Sequence, residues 1–197
     1  GSVLWAKSYM RPKGQVVDMV EKPNGNLLLT GVTDTTFQTQ YRKLYLMELD
    51  SAGNVLWTKA YGDLVYQLCN LNGAGIYFWP IRIHSTFDGG LILTTRITMN
   101  GTDPDLVLMK MDSTGNVEWE RRHGTFEAVE VGINVIQTPD SGYFVIGGFN
   151  QQMIQPGFYY EGYYLLKTDA IGLVGGCSEN TDTIPLVNLL PTDSIIT

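Results

Sequence analysis

The chain has 197 residues and a net charge of −7, and 44% of its residues are hydrophobic. This acidity argues against a nucleic-acid partner, because phosphate backbones are bound by clustered lysines and arginines. No apolar run is long enough to cross a bilayer, so we expect no membrane insertion. The two cysteines, Cys69 and Cys177, fit neither a disulfide-dense scaffold nor a zinc site, and the sequence leaves open whether they pair.

A turn followed by an apolar strand occurs three times along the chain. The copies are residues 23–31 (PNGNLLLTG), 87–95 (FDGGLILTT) and 139–147 (PDSGYFVIG). Asn-Gly and Asp-Gly pairs favour tight hairpins because both residues tolerate positive φ. The uninterrupted apolar run after each turn indicates a strand that is covered on both faces.

A second motif, which has the pattern of a hairpin, also occurs three times, at 45–62, 107–124 and 164–174. Each copy contains Asp-x-x-Gly, in which the aspartate bonds the turn backbone and the glycine takes the left-handed position. Tryptophans recur in the strand that follows the turn and are expected to pack between units. The repeated structural residues are Asp50, Asp112, Asp169, Gly53, Gly115, Gly172, Trp5, Trp57 and Trp119.

The spacing of these motifs predicts the architecture. The motif aspartates are 62 and 57 residues apart, which fits a unit of four strands plus loops. A weakly marked first strand near Gln15–Val20, Pro80–His84 and Gly132–Gln137 completes each unit. The sequence therefore predicts an all-β fold of β-propeller-like blades with four antiparallel strands each, three repeats being visible. A β-trefoil-like three-fold β fold is the alternative.

The repeat is offset at its two ends. Residues 3–9 match its last strand, whereas Gly175, Gly176 and Cys177 replace that strand in the third copy. We therefore expect a propeller-like domain at 1–177, with strand 3–9 as its closing strand, and a polar tail or linker at 178–197. Three blades are fewer than the four to eight of typical propellers, so the partner would be the remaining blades of a larger chain or a second copy.

These blades resemble a known family. Asp88-Gly89-Gly90, followed by Leu-x-Lys-x-Asp-x-x-Gly-Asn-Val-x-Trp at 108–119, is similar to blades of secreted and surface proteins of Bacteroidota, which often precede a type IX secretion sorting domain. The resemblance covers residues 3–176 and implies a secreted or cell-surface β-propeller. It implies no activity, because the matching positions are turn and core residues.

Two aromatic clusters lie in insertions of the repeat, where loops on a rigid scaffold carry function. They supply the candidate binding residues Tyr77, Trp79, Tyr159, Tyr160 and Tyr163, whose rings can stack on sugars or pack on a protein. Packing within the fold is the alternative role. We therefore expect a non-catalytic module that acts in adhesion, assembly or binding of a protein or glycan ligand.

A calcium site is the one cofactor that the sequence suggests. Asn100, Asp103 and Asp105 place oxygen ligands on a glycine-containing loop, a pattern suited to Ca²⁺. The twelve-residue loop and closing glutamate of a standard calcium site are missing, and turn formation explains the same residues. The prediction is therefore no cofactor, with Ca²⁺ as the alternative.

Catalysis and a purely structural role are the rival functions. Glu127 and Glu130 precede the first strand of the third unit, and a lyase or glycoside hydrolase would need such a carboxylate pair at the propeller mouth. Nucleophile chemistry has less support, since no G-x-S-x-G motif occurs and Cys69 has no placed base. A structural spacer within a larger surface protein is the third possibility.

Overall fold

The computed structural model describes residues 4–9, 15–34, 42–61, 66–67, 81–99, 105–124, 128–152, 159–175, 186–187 and 195–196. Within these residues the regular structure consists of strands, with no helix, so the prediction of an all-β fold is confirmed. Several residues named above lie outside the described part: Tyr77, Trp79, Asn100, Asp103, Glu127, Cys69 and Cys177.

A short strand, β1 (Ser8–Tyr9), precedes three antiparallel sheets that correspond to the three repeats. Unit 1 contains β2 (Gln15–Glu21), β3 (Leu27–Asp34), β4 (Arg42–Leu49) and β5 (Val55–Tyr61), paired in that order. Unit 2 begins with β6 (Tyr66–Gln67) and β7 (Arg82–Ser85), which both pair with β8 (Leu91–Met99), and continues with β9 (Asp105–Met111) and β10 (Val117–His123). Unit 3 contains β11 (Ala128–Gln137), β12 (Tyr143–Gln152) and β13 (Tyr159–Thr168).

Among the described residues, six tight turns of one geometry join the strands at one end of the sheets, which we call the turn end. In the turn that starts at Asp50, the Asp50 N–H donates to the carbonyl of Asn54, and the Gly53 N–H donates to the carbonyl of Asp50. The same pattern occurs at 22–26, 86–90, 112–116, 138–142 and 169–173. The fourth residue of each turn has positive φ, and in the turn at 138–142 this residue is Ser141, at 66°.

The units stack face to face, so each interface has its own apolar core. Between units 1 and 2, Leu28, Leu44 and Leu46 pack with residues that include Leu93 and Met109. A second apolar core lies between units 2 and 3 and consists of Ile92, Leu106, Leu108, Val135, Tyr143, Val145 and Leu166. Because successive side chains alternate in direction, β8 is covered on both faces, as the sequence predicts for the apolar strand.

The first strands of units 1 and 3 each contain a β-bulge at the equivalent position. The pairing register shifts at Val17 in β2 and at Ile133 in β11. By register with the second strand, the equivalent position in unit 2 is Ile81, immediately before β7. In the sequence, residues 68–80 stand between β6 and β7 and directly precede this position.

The two chain ends pair with strand edges. The tail predicted as a polar tail or linker contributes β14 (Leu186–Val187), which pairs with β5, and β15 (Ile195–Ile196), which pairs with β1. Exposed strand edges carry unpaired N–H and C=O groups, which explains why a tail with short apolar pairs can add to them. The neighbour of β1 among the described residues is thus a tail strand, and closure of unit 3 by residues 3–9 stays a prediction.

Candidate functional site

The first strands of the three units lie side by side, and we call this row the first-strand centre. β2 contacts β7, and β7 contacts β11. The Asp18 carboxylate accepts a hydrogen bond of 3.0 Å from the Ile83 N–H, and His84 Nε2 lies 2.8 Å from Asn134 Oδ1. Polar side chains on first strands therefore join neighbouring units at this centre.

The strand ends opposite the uniform turns form the other end of the sheets, which we call the loop end. In an antiparallel sheet, the connections from second to third strands start at the same end as the connections between units. The described strand ends at the loop end precede or follow residues 10–14, 35–41, 62–65, 100–104, 125–127 and 153–158 in the sequence. Asn100 and Asp103 of the predicted calcium set belong to the segment 100–104, outside the described residues.

The longest departure from the repeat, residues 68–80, carries the predicted aromatics Tyr77 and Trp79. On one side it follows Gln67 of β6, which pairs with β8. On the other side it precedes Ile81, which is fully buried in the core between units 1 and 2. The described residues on its two sides therefore belong to strands that pair with β8, and of these strands β7 contacts the first strands of units 1 and 3.

Asp105, a member of the predicted calcium set, forms an ion pair with Arg122. The Arg122 Nη2 and Asp105 Oδ2 are 3.0 Å apart, and Arg122 is buried. A Cβ atom on Gly124 would lie 2.4 Å from Asp105 Oδ1 and 3.1 Å from Glu130 Oε2, so both carboxylates meet at this glycine. Within the described ranges, no three His, Cys, Asp or Glu side chains are grouped to hold a metal.

Glu130, one of the two carboxylates of the hypothetical catalytic pair, is 3% exposed. Its position in β11 lies beside the Asp105–Arg122 ion pair, at the interface between units 2 and 3. A carboxylate buried to this degree has little access to a polymeric substrate, which favours a structural role for it. Its predicted partner, Glu127, lies outside the described residues.

The remaining predicted aromatics belong to β13, which begins with Tyr159 and Tyr160. Tyr163 follows in the same strand, and its side chain is 93% exposed. Tyr164 and Leu166 pack towards unit 2, so the alternate residues of β13, including Tyr163, lie on the opposite face of unit 3. The structure therefore places Tyr163 on the outer face of the last unit and does not bring it to the first-strand centre.

A repeated contact joins the fourth strand of one unit to the Asp-x-x-Gly turn of the next. The Tyr61 hydroxyl donates to the carbonyl of Gly115 at 2.6 Å, and the ring of Trp57 lies against the same glycine. Between them, Lys59 donates to the carbonyl of Thr114 at 2.8 Å. The sequence predicts that the tryptophans pack between units. In the structure, Lys59 and Tyr61, which follow Trp57 in the pattern Trp-x-Lys-x-Tyr, contact the next unit as well.

The N-terminal residues make the same contact on unit 1, although no complete unit of the described chain precedes them. Trp5 Nε1 donates to the carbonyl of Ser51 at 3.0 Å, and the Tyr9 hydroxyl donates to the carbonyl of Gly53 at 2.6 Å. Further along the chain, the ring of Trp119 lies against Gly172 of unit 3. The residues predicted as structural repeat positions therefore form one interface three times.

The turn aspartates are engaged by their own hairpins. Asp112 Oδ1 accepts hydrogen bonds from the N–H groups of Thr114 and Asn116, at 2.8 and 2.9 Å. Burial raises the pKa of Asp112, but these bonds and those from the side chains of Asn116 and Thr114 outweigh burial and hold the pKa at about 2. Asp50 and Asp169 bond their turns in the same way, so these carboxylates close hairpins.

Lys110 is the most buried cation of a described ion-pair network. Its Nζ lies 2.9 Å from both Asp88 Oδ2 and Glu118 Oε2, and its side chain is 4% exposed. Burial raises the pKa of Asp88, but hydrogen bonds from the Thr86 hydroxyl, Lys110 and the Gly90 N–H bring it to about 2. This network lies at the turn end and ties three segments of unit 2 together.

No family model matches this sequence, and no curated protein matches it. The part of the chain that the structure describes holds no helix long and apolar enough to cross a membrane. The resemblance of the blades to those of secreted propellers stays a prediction.

Proposed function

We propose that the three units are blades of a secreted or cell-surface β-propeller module, which binds a protein or glycan ligand and has no catalytic activity. Each unit is a separate antiparallel sheet, and the sheets stack face to face. Contacts between successive first strands support an arrangement around a shared centre, as in propellers. A β-trefoil has less support, because its barrel requires strands of different units to pair.

The position of residues 68–80 carries the ligand-binding role. This segment holds Tyr77 and Trp79, and β7, the strand that follows it, contacts the first strands of units 1 and 3. Aromatic rings bind sugars and protein surfaces well because they offer a large apolar area at a small entropic cost. A rigid scaffold that presents a variable aromatic segment is the usual construction of a binding module.

The charge of the chain narrows the ligand class. A net charge of −7 disfavours approach of acidic polysaccharides and nucleic acids, particularly at low ionic strength. We therefore expect the ligand to be a neutral glycan or a protein surface without excess negative charge. Acidic polymers serve as the negative controls of a screen.

The proposal is tested by screening the full chain on neutral-glycan and protein arrays and then measuring the affinity of each hit. We expect Trp79→Ala and Tyr77→Ala to weaken binding by about 10-fold or more, as truncation of an aromatic anchor does. Phe87→Ala is the matched control, because Phe87 is 71% exposed but lies at the turn end. The control should bind like the unaltered chain.

Other outcomes favour the rival functions. Binding that survives both aromatic substitutions would contradict a site in residues 68–80. Failure to bind any member of a broad panel would favour a structural spacer. Polysaccharide turnover that is lost with Glu127→Gln would favour a lyase or hydrolase, and would overturn the non-catalytic role.

A further inference from the structure

We propose that Arg82 and Arg96 of unit 2 form a binding site for a small oxyanion at the loop end of the first-strand centre. The ligand would carry a carboxylate, sulfate or phosphate group. The site is separate from the aromatic segment 68–80, because both arginines belong to the described strands β7 and β8.

The two arginines lie on one face of unit 2, the face that packs on unit 3. Arg82 pairs with Thr94 across β7 and β8, and the side chains of such a pair point to the same side. Arg96 and Ile92 are each two residues from Thr94 in β8, so they share this side, and Ile92 belongs to the core between units 2 and 3. Diagonal neighbours of this kind are about 7–8 Å apart, within the reach of long side chains. Both guanidinium groups can therefore contact one ligand.

The first strand of unit 3, β11, crosses this face diagonally. Near the loop end, a Cβ atom on Gly124, which follows β10, would lie 3.1 Å from Glu130 Oε2. In the middle of β11, a Cβ atom on Gly132 would lie 2.1 Å from Thr94 Oγ1 of β8. Towards the turn end, Asn134 Oδ1 lies 2.8 Å from a side chain of β7. β11 therefore runs from the outer strands of unit 2 at the loop end to its first strand at the turn end.

The diagonal course of β11 explains why both arginines are only half-buried. Gly132 lies against Thr94 of β8 and Leu106 of β9. Arg82 is the neighbour of Thr94 on β7, and Arg96 is the neighbour of Leu106 on β8. Each arginine is thus one strand closer to the first-strand centre than the residue that β11 covers. Thr94 and Leu106, by contrast, are fully buried.

The repeat itself does not require two cations at these positions. By strand register, the equivalent positions hold Asp18 and Val32 in unit 1 and Asn134 and Gly148 in unit 3. The sheets of units 1 and 3 therefore form without arginines there. The pair is a departure of unit 2 from the repeat, which the packing of sheets does not explain.

No described carboxylate neutralises the two guanidinium groups. Arg82 Nη1 donates to the carbonyl of Ile81 at 2.8 Å, and none of the described ion pairs includes Arg82 or Arg96. Arg96 Nε is buried and has no hydrogen-bond partner in the described part of the chain. Like charges this close repel each other, and charges that are withdrawn from water are normally paired. A bound anion would supply the missing counter-charge.

Acidic groups of the adjoining strands are engaged elsewhere. Asp105 pairs with Arg122 at 3.0 Å, and Asp18 accepts a hydrogen bond of 3.0 Å from the backbone of β7. The Glu130 carboxylate lies beside Gly124, at the outer strands of unit 2. The counter-charge of the two arginines is therefore left to a ligand.

The chemistry of arginine defines the ligand group. A planar guanidinium presents N–H donors in a fork that matches two oxygens of a carboxylate, sulfate or phosphate group. The net charge of −7 opposes long acidic polymers through long-range repulsion, whereas short-range hydrogen bonds act on a single anionic group. We therefore expect a ligand with one oxyanion group at this site.

Thermal unfolding of the full chain with simple anions tests the site. Sodium phosphate, sulfate or acetate replaces sodium chloride at constant ionic strength, so that general screening stays the same. We expect saturable stabilisation with a Kd of about 1 mM, and a rise in Tm of about 3–6 °C at ten times that concentration. A stronger effect of phosphate and sulfate would identify a phosphate or sulfate group as the ligand, and a stronger effect of acetate would identify a carboxylate.

Substitution of either arginine should weaken the binding of the anion. Arg82→Gln and Arg96→Gln should each raise the Kd by about 10-fold or more, because each removes charge-assisted hydrogen bonds. Arg121→Gln is the matched control, since Arg121 is also a half-buried arginine of unit 2 but lies over the Trp119 ring. The control should keep the Kd of the unaltered chain. Unfolding curves without added anion show whether each variant is folded.

Lysine variants keep the experiment decisive if a glutamine variant does not fold. Arg82→Lys and Arg96→Lys retain the charge but lose the planar fork, so they should also bind the anion more weakly. A Kd that is unchanged in the variants of both arginines would overturn the site. Absence of saturable binding by the unaltered chain up to about 50 mM of each anion would overturn it as well.

The anion site and the proposed ligand-binding segment can be distinguished. Tyr77→Ala and Trp79→Ala should leave the Kd for the simple anion unchanged, because both arginines remain. Loss of glycan or protein binding in these variants, with anion binding intact, supports two separate sites. Loss of anion binding in the same variants would contradict a site formed by the arginines.

Discussion

The hydroxyl of Tyr61 donates a 2.6 Å hydrogen bond to the main-chain carbonyl of Gly115 in the next unit. Tyr61 is 2% exposed, and a Cβ atom on Gly115 would lie 2.9 Å from this hydroxyl and 3.0 Å from the ring of Trp57. The glycine thus serves its turn, where φ is 80°, and also admits two aromatic side chains from the preceding unit. One residue therefore couples local turn geometry to the packing of units.

Replacement of Tyr61 by phenylalanine should lower the free energy of unfolding by about 1–2 kcal/mol, because the buried carbonyl of Gly115 loses its partner. Tyr9→Phe is the matched control. Tyr9 makes an equally short bond to Gly53, but it is half-buried, so water can replace the hydroxyl and the loss should be under about 1 kcal/mol. Urea denaturation measures both, and equal losses would contradict the argument.

The same tyrosine predicts a loss of stability at alkaline pH. Burial, with a smaller contribution from the charge of Asp112, raises the pKa of Tyr61 above its ordinary value of 10.0. The folded state therefore keeps the proton where the unfolded state releases it, so the stabilisation is complete below pH 10 and declines above it. Denaturation at pH 9 and pH 11 should show a smaller decline for Tyr61→Phe than for the unaltered chain. Parallel declines would contradict this assignment.

Asp112 predicts a loss of stability in acid. Although burial raises the pKa of Asp112, hydrogen bonds from Asn116 and Thr114 hold it at about 2. A lowered pKa in the folded state gives a stabilisation that is present above pH 4 and is lost as the pH falls towards 2. Asp112→Asn should flatten this part of the pH profile, measured by thermal unfolding between pH 5 and pH 2. Ser113→Ala, an exposed change in the same turn, should leave the profile unchanged.

Equivalent lysines in units 2 and 3 should differ in their contribution to stability. Lys110→Met should cost about 1–3 kcal/mol, since Lys110 is buried and serves two carboxylates, Asp88 and Glu118. Lys167→Met should cost less than about 1 kcal/mol, because Lys167 and its partner Asp140 are 43% and 62% exposed. Chemical denaturation of both variants measures the two losses of stability. A larger loss for Lys167→Met than for Lys110→Met would mean that burial does not determine what these ion pairs contribute.

Substitution of Ser141 by glycine should stabilise the folded protein. It adopts φ of 66° in a turn whose equivalents, such as Gly89 at 79°, are glycines. An L-residue in the left-handed region costs about 1–2 kcal/mol, of which the extra flexibility of unfolded glycine offsets a part. Ser141→Gly should therefore raise the free energy of unfolding by about 0.5–1 kcal/mol. The converse change, Gly89→Ser, should lower it, because no atom lies within 4 Å of the added Cβ and backbone strain remains the cause.

Much of the fold could be predicted because its signals are local. Asp-x-x-Gly predicts a hairpin through bonds that Asp50 makes within five residues, and those bonds are present at 2.8–2.9 Å. The apolar runs at 27–30 and 91–95 predict strands with buried faces, and both are strands. The turn at 138–142 is harder to predict, because Asp-Ser-Gly suggests that the glycine takes the left-handed position. In the structure Ser141 takes it, and Gly142 follows one residue later.

The candidate site was predicted less well, because a site depends on distances between separate strands. Spacing along the chain groups Asp105 with Asn100 and Asp103, but the Asp105 carboxylate is paired with Arg122 from the neighbouring strand. Glu130 had the residue type of a catalytic acid, whereas its burial at the unit interface favours a structural role. The spacing of residues along the chain does not reveal a partner that lies on another strand.

The three repeats, their strands and the turns that join them can be predicted from the sequence, since each of these depends on residues close together in the chain. Which faces of the strands are covered depends on how the sheets pack. Leu46 and Leu165 are the same residue type at the same position of the repeat, yet one is fully buried and the other is 65% exposed. The physical reason is that a side chain is buried only when a second surface covers it and excludes water. In the described part of this chain, no second surface covers the outer face of unit 3.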